Sequence, residues 1–323
     1  MLRSLYLMPT HQCNGACSYC YLPEREADAD AALFVRAVSL FIAQMQAAGV
    51  DGTSLQLRFS GGEPCLRPEL LVELSTRFLS ALPGSVVRIN SNGTLVDEAL
   101  TSRLRPFAQR VAFIVSLDGP PAIHNARRRL KNGNDAHAAA VRGIETLQRD
   151  GIPVYLNAVL DRFSLDGLGE LMDFIADRFG MRDLGVSLLD APQHPLSAAD
   201  KLDLLRQAYA LAAARGVRLG GHHRLLLGEL IPELYCRAGR QTIVIGATGE
   251  MAACQRFVGK GYGPVRRFDD DVDFHTVKAH TCSSRCYAGD VPQLAQGLYE
   301  LYQQHYPEYC MVNALDRVLF GVI

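Results

Sequence analysis

Short apolar runs alternate with helical patterns through the first two thirds of this chain. The runs predict strands at Ser4–Pro9, Ser54–Ser60, Val86–Asn90, Val111–Asp118, Val154–Leu160 and Leu184–Leu189. The helical patterns predict helices at Ala32–Ala48, Arg67–Leu82, Val96–Phe107, Asp135–Arg149, Leu168–Phe179 and Ala198–Arg215. Most strand runs are rich in Val, Ile, Leu or Phe, which is typical of strands covered on both faces. Six consecutive β–α units predict parallel strands, and 323 residues are too few for an eight-unit barrel with a further domain. We therefore expect an α/β fold built on an open, partial (β/α)6 barrel of the TIM-like kind.

The pattern changes after residue 215, where glycines become frequent, the helical periods fade and cysteines return. We predict a barrel over residues 1–215, a linker over 216–231, a small cysteine-rich domain over 232–290 and a helical tail over 291–323.

The composition argues against several classes of protein. The net charge is −1, so the whole chain is not a polycation for binding nucleic acid. No apolar run reaches the ~20 residues of a membrane-spanning helix, and the N-terminal apolar stretch is too short for a signal peptide. We expect a cytoplasmic protein with reduced thiols and with no nucleic acid or membrane partner. Nine cysteines, an odd number, argue against a complete disulfide framework.

Three of the cysteines form a tight group directly after the first predicted strand. Cys13, Cys17 and Cys20 are spaced CxxxCxxC. Three thiolates on one loop can bind three irons of a [4Fe–4S] cube and leave the fourth iron open. Zinc is the competing metal, but structural zinc takes four closed ligands, usually from CxxC pairs.

This spacing, together with the aromatic Tyr19 before the last cysteine and the β/α pattern, resembles the radical S-adenosylmethionine (SAM) superfamily. The resemblance implies that the amine and carboxylate of SAM chelate the open iron and that Tyr19 belongs to the SAM site. It also implies that electron transfer from the cluster breaks the sulfonium C–S bond of SAM. The product is a 5′-deoxyadenosyl radical, which abstracts hydrogen from an unactivated C–H bond.

Further residues match motifs of the same superfamily. After the second predicted strand, Gly61, Gly62, Glu63 and Pro64 form a GGEP sequence, which the resemblance implies binds the amino group of SAM. Two glycines also allow a close approach of the backbone to a ligand, and a carboxylate or carbonyl accepts from an ammonium.

The stretch beginning at His124 resembles the HDxxR sequence of the superfamily, with Asn125 where aspartate is usual. Arg128 then matches the arginine that pairs with the SAM carboxylate. The neighbouring Arg127 and Arg129 leave this assignment open by one position.

Polar residues also stand at or near the ends of later strands, where barrel enzymes keep their chemistry. In similar enzymes, Ser116 and Asp118 would lie near the SAM ribose and the substrate. Asn92 is a further pocket candidate, and Asn157 would face the ribose or the adenine. Each of these residues could instead serve a turn, a helix cap or a satisfied core amide.

A second group of cysteines lies in the last third of the chain. Cys236, Gly249 and Cys254 follow a C-x12-G-x4-C spacing, which resembles the opening of SPASM and twitch extensions. Residues 241–245 and 250–253 predict the hairpin between these cysteines, with Gly249 at its turn.

Cys282 and Cys286 complete a set of four thiolates in this part of the chain, which suffices for one auxiliary [4Fe–4S] cluster. The first cysteine of the CxxCxxxC trio of full SPASM domains is absent, since position 279 is Ala279. A zinc site built from the same four thiols remains the alternative.

The sequence CYLPER at residues 20–25 resembles a stretch of peptide-modifying SPASM enzymes. This resemblance implies a ribosomally made precursor peptide as substrate and a reductant such as flavodoxin or ferredoxin. Binding of the leader of such a precursor would need another surface of this protein or a separate leader-binding protein. A twitch-type dehydrogenase of a small molecule such as an aminocyclitol is the second hypothesis. A non-catalytic iron–sulfur scaffold is the third.

Overall fold

One open sheet organises the protein, whose structure is a computed structural model. It describes residues 2–22, 28, 30–189, 196–221, 241–255, 258, 266–276, 296–301 and 304. The predicted linker lies mostly outside these ranges, and Cys236, Cys282 and Cys286 lie wholly outside them. No helix among the described residues is both long enough and apolar enough to cross a membrane.

The strands and helices follow the order expected from the alternation of patterns. The strands are β1 (Ser4–Leu7), β2 (Gly15–Cys17), β3 (Gln56–Phe59), β4 (Val86–Ser91), β5 (Val111–Ser116), β6 (Arg128–Leu130), β7 (Val154–Leu160), β8 (Asp183–Leu188), β9 (Arg218–Gly220), β10 (Thr242–Ile245), β11 (Glu250–Ala252) and β12 (Arg266–Arg267). The helices are α1 (Ala31–Ala47), α2 (Pro68–Ala81), α3 (Glu98–Leu104), α4 (Pro121–Arg127), α5 (Ala136–Arg149), α6 (Arg162–Leu165), α7 (Leu168–Phe179) and α8 (Ala198–Ala214).

The main sheet has the order β12-β11-β10-β1-β3-β4-β5-β7-β8-β9 within the described residues. The six predicted strands, now β1, β3, β4, β5, β7 and β8, are neighbours in chain order and all parallel. The predicted α/β fold with a partial barrel is therefore confirmed. Parallel strands joined by helices explain this order, because each crossover returns the chain to the same end of the sheet.

The two faces of the sheet differ in character. Leu57, Phe59, Val87 and Ile89 have no exposed surface and belong to the main apolar core of the protein. Alternation along each strand places their neighbours, such as Arg88, on the other face, which we call the concave face. This face is the interior of the partial barrel.

The predicted hairpin at residues 241–253 is confirmed, because β10 and β11 pair antiparallel and Gly249 has φ +85° between them. β10 also pairs in parallel with β1, so the hairpin extends the sheet of the barrel. The domain limits themselves stay a prediction.

The elements α4, α6, β9 and β12 were not predicted, and two further features of the fold differ from the sequence prediction. The predicted helix Val96–Phe107 ends at Leu104 and continues as a 3-10 segment over Arg105–Arg110. Pro106 is the second residue of this segment and lacks the backbone N–H that a continuing α-helix needs at that position. The second feature is a two-stranded ribbon formed by β2 and β6, which no local pattern indicated.

Candidate active site

The cysteine loop lies against the loop that follows β3. The backbone N–H of Gly62 donates to the carbonyl of Thr10 at 2.9 Å, and that of Glu63 donates to the carbonyl of Gln12 at 2.8 Å. These bonds align the GGEP sequence with the segment that leads into Cys13.

Gly61 and Gly62 allow the GGEP loop to pack directly against the backbone of residues 10–12. A Cβ on residue 62 would stand 1.9 Å from the carbonyl oxygen of Gln12. A Cβ on residue 61 would stand 2.3 Å from the carbonyl oxygen of Thr10, and Gly61 has φ +122°. Glycine is therefore required here by the approach of two backbones.

We expect Gly62→Ala to lower the free energy of unfolding by about 3 kcal/mol, since the backbone of residues 10–12 must move to admit the methyl group. The displaced loop should also hold less iron. Urea unfolding and iron analysis after anaerobic reconstitution measure both effects. Gly133→Ala is the control, because Gly133 has φ +77° but open space around it, and its cost is about 1 kcal/mol. Equal iron contents in the two variants would contradict the steric argument.

The geometry of the cysteine loop fits a [4Fe–4S] cluster. Cys13, Cys17 and Cys20 are free, half-buried thiols. A Cβ on Gly15 would stand 3.5 Å from the sulfur of Cys13 and 3.9 Å from that of Cys17, so these two sulfurs lie on the same side of the loop. Within the described residues, no three His, Cys, Asp or Glu side chains converge on one metal-ion position. Ligands of a cube need not converge in this way, because each thiolate binds a different iron.

The electrostatics of the loop point to the same chemistry. Burial, aided by nearby Glu63, Cys17 and Cys20, outweighs a hydrogen bond from the backbone N–H of Gly15 and raises the pKa of Cys13 to about 11. Several thiolates at this place therefore need a compensating cation, which an iron–sulfur cluster supplies.

An amide network holds the first cysteine. The side-chain amide of Asn92 donates to Oδ1 of Asn14 at 2.8 Å, and it lies 3.9 Å from the sulfur of Cys13. Asn14 in turn donates to the hydroxyl of Thr94 at 2.8 Å. The predicted pocket residue Asn92 thus lies beside Cys13, a predicted cluster ligand.

Glu63 joins the GGEP loop to the end of β4. Its carboxylate accepts from the hydroxyl of Ser91 at 2.7 Å, from the backbone N–H of Asn92 at 2.7 Å and from that of Cys65 at 3.1 Å. Burial raises the pKa of Glu63 in spite of these bonds. The next residue, Pro64, is buried at the start of a 3-10 turn. A contact of this motif with SAM stays a prediction.

Asp118 is the centre of a buried cluster of charges. Its Oδ2 accepts from Nε of Arg128 at 2.9 Å and from the hydroxyl of Tyr19, while its Oδ1 accepts from the backbone N–H of Val159 at 3.0 Å. Nε of Arg127 lies 3.6 Å from Oδ2. Burial would raise the pKa of Asp118, but Arg128 and Arg127 outweigh it and lower the pKa to about 2.

Both arginines stack on the ring of Tyr19. The guanidinium carbons of Arg127 and Arg128 lie 4.7 and 5.2 Å from the ring centroid. Arg127 also binds Asp161, whereas Arg129 is exposed. β6 pairs Arg128 with Cys17 of β2, so the ribbon carries the arginine to the cysteine loop.

Ser116 and Asn157 face each other across β5 and β7. Both are half-buried, and Oδ1 of Asn157 accepts from the hydroxyl of Ser187 at 3.2 Å. They lie on the concave face near the carboxyl ends of their strands. Their contacts with SAM stay a prediction.

Sequence reasoning missed the supporting residues Asn14, Thr94, Ser91 and Asp161. Their partners are 26 to 80 positions away in the chain, so no local spacing indicated them. Cys65 is buried directly after the GGEP sequence. Of the predicted auxiliary ligands, only Cys254 is described, and it is a half-buried thiol that follows β11.

Comparisons with known proteins agree with this geometry. The family model of the radical SAM superfamily matches residues 7–175, just over half of the chain. The PqqA peptide cyclase of Streptomyces rochei is 29% identical over 212 residues, which cover 64% of this chain and 53% of that protein. The Fe-coproporphyrin III synthase of Methanosarcina barkeri is 27% identical over 172 residues, which cover 52% of this chain and 39% of that protein.

A solved structure, native anSMEcpe with bound AdoMet (that is, SAM) and the Kp18Cys peptide, shares the fold. It has a TM-score of 0.68 at 19% identity, with 85% of this chain and 80% of that chain covered. The chain spans about half of the length of the two curated relatives.

Proposed function

This chain belongs to the radical SAM superfamily, and from that premise we propose that it cleaves SAM reductively and oxidatively crosslinks side chains of a ribosomally made precursor peptide. The observation that carries the proposal is the convergence of the cysteine loop, the GGEP loop and the Asp118 cluster at the carboxyl ends of parallel strands. The names of the PqqA peptide cyclase and of the peptide-bound anSMEcpe structure support a peptide as the substrate.

The chemistry comes from the bound groups, and the chain positions them. When bound, a [4Fe–4S] cluster and SAM would together supply the radical chemistry that removes hydrogen from an unactivated C–H bond. Cys13, Cys17 and Cys20 would hold the cluster. Arg128 would pair with the SAM carboxylate while Asp118 fixes the direction of its guanidinium.

Other residues would complete the SAM site. The GGEP loop, packed against the backbone of residues 10–12, would receive the amino group of SAM next to Glu63. Ser116, Asn157 and Asn92 would donate and accept hydrogen bonds at the strand ends. The apolar residues packed around these polar groups would keep water away, so that a carbon radical would react with its intended C–H bond.

We further propose one auxiliary [4Fe–4S] cluster bound by Cys236, Cys254, Cys282 and Cys286. It would accept the electron that remains on the substrate after hydrogen abstraction. A flavodoxin or ferredoxin would reduce the first cluster, and a separate protein would bind the leader of the precursor.

Anaerobic reconstitution with iron and sulfide, followed by dithionite and SAM, tests the proposal. We expect 5′-deoxyadenosine by chromatography, and a loss of two hydrogens from a short precursor peptide encoded beside this gene. Absence of 5′-deoxyadenosine would leave only the non-catalytic scaffold.

A small-molecule substrate is the second candidate. The relative named Fe-coproporphyrin III synthase supports this alternative. It is about as similar to this chain as the PqqA peptide cyclase is, and its name does not refer to a peptide substrate. Formation of 5′-deoxyadenosine with a candidate small molecule such as an aminocyclitol, and no mass change in any peptide, would favour this alternative.

Cys282→Ser should separate the two clusters. We expect the variant to cleave SAM at about the wild-type rate but to yield no oxidised substrate, because the electron acceptor is lost. Quantifying 5′-deoxyadenosine and product in the same reaction checks this. Full product formation by the variant would refute the auxiliary role, and Ser283→Ala is the neighbouring control.

A further inference from the structure

The concave face of the sheet carries two adjacent arginines beneath the candidate active site. Arg58 on β3 and Arg88 on β4 are register partners, so the two residues are direct neighbours. Arg88 precedes Asn90 by two residues and lies on the same face, because side chains alternate along a strand. The rise of a strand, ~3.3 Å per residue, puts Arg88 about 7 Å below Asn90.

The contacts of Arg88 are few. Its Nε donates to Oε1 of Gln56 at 3.2 Å, which fixes the plane of the guanidinium. Within the described residues its two Nη groups have no hydrogen-bond partner, and the side chain forms no ion pair. Four N–H donors in fork geometry are thus available at a half-buried place.

The charge of this face is positive. The eight parallel strands carry one carboxylate there, Asp183, which forms an ion pair with Arg218 at 2.6 Å. Burial and the neighbouring charge of Arg58 lower the pKa of Arg88 to about 9, so its charge is opposed by the surroundings but persists at neutral pH. A bound anion would relieve both effects.

We propose that Arg88, oriented by Gln56, binds an anionic group of the substrate on the concave face. The inference rests on the proposed function, since it places the substrate between this arginine and the SAM site. A guanidinium fork matches carboxylate and phosphate oxygens in a bidentate manner. The reactive carbon of the substrate would then lie roughly 7–10 Å from its anionic group, a length set by two to three residues of strand.

The test uses anaerobically reconstituted protein and three probes. Two probes are N-acetyl-glutamate and N-acetyl-glutamine with the α-carboxyl group amidated, so that only the first carries a carboxylate, on its side chain. The third probe is inorganic phosphate. Calorimetry measures their affinities for the wild type, Arg88→Gln, Arg88→Lys and Gln56→Leu. Arg142→Gln is the matched control, because Arg142 is exposed on α5 and its loss changes the net charge equally.

We expect the wild type to bind an anionic probe more tightly than the neutral one, and Arg88→Gln to weaken anion binding about tenfold to a hundredfold. The anion affinities of Arg88→Lys and Gln56→Leu should lie between those of the wild type and Arg88→Gln. The affinity of Arg142→Gln should equal that of the wild type. Whichever of the carboxylate and phosphate probes binds more tightly identifies the kind of anionic group that the site accepts.

Equal anion affinity in the wild type and Arg88→Gln would overturn the inference. If Arg88→Gln fails to fold, Arg88→Lys and Gln56→Leu carry the same comparison. Wild-type cleavage of SAM separates the two proposals, because a protein that makes 5′-deoxyadenosine but shows no Arg88-dependent anion binding refutes only the anion site.

Discussion

Alanine at Cys13, Cys17 or Cys20 should reduce the cleavage of SAM to the uncatalysed level. Each thiolate would bind its own iron, so the loss of one ligand would leave the cube incomplete and open it to loss of iron. Cys17 is the most informative position, because β2 pairs with β6 whether or not a sulfur is present there. Iron and sulfide content, the electron paramagnetic resonance of the reduced cluster and the yield of 5′-deoxyadenosine measure the effect.

Cys65→Ala is the matched control for these variants. Cys65 is a buried cysteine of the same part of the protein, and its sulfur lies 3.6 Å from the hydroxyl of Ser91, outside the cysteine loop. We expect it to retain the full iron content. A Cys17→Ala protein with an intact cluster and normal yield would overturn the assignment of the trio. So would zinc in place of iron in anaerobically isolated wild-type protein.

Asp118→Ala should lower the free energy of unfolding by about 3–5 kcal/mol, because it leaves Arg127 and Arg128 buried without their shared carboxylate. The loss should extend to the cysteine loop, since Tyr19 donates to the same carboxylate. Urea unfolding at pH 7 measures the effect. The folded-state pKa of Asp118 is lowered to about 2, so its stabilisation is present above the ordinary value near pH 4 and is lost as pH falls through about 2.

Asp183→Ala provides the comparison for this ion pair. Asp183 also binds an arginine, Arg218, but both side chains are about a third exposed. An exposed pair of this kind contributes about 0–1 kcal/mol. If Asp118→Ala and Asp183→Ala lower the free energy of unfolding equally, burial of the Asp118 cluster does not make its ion pairs more important for stability.

The sequence was most informative where the signal is local. The six strands were predicted from runs of apolar residues, and the cysteine trio from its spacing within eight residues. The turn at Gly249 was predicted from a glycine between two short apolar runs, and the structure confirms it. The superfamily followed from motifs that are themselves short and continuous.

The sequence was least informative about what each motif residue contacts in the folded protein. The two glycines of the GGEP loop were expected to approach a ligand, and the structure shows that they first admit the backbone of residues 10–12. Arg127 was a positional alternative to Arg128, and the structure places both on Tyr19. Arg88 lies in no recognisable motif, so the sequence around it indicates no function.

Sequence alone therefore determined the alternation of strands and helices, the position of the cysteine loop and the superfamily, because hydrophobic period and cysteine spacing are properties of neighbouring residues. Only the tertiary structure decided that Tyr19 meets Asp118, that β10 pairs with β1, and that Arg58 stands beside Arg88. Those pairs join residues 30 to 238 positions apart, and their contacts depend on strand order and register, which a local pattern does not specify.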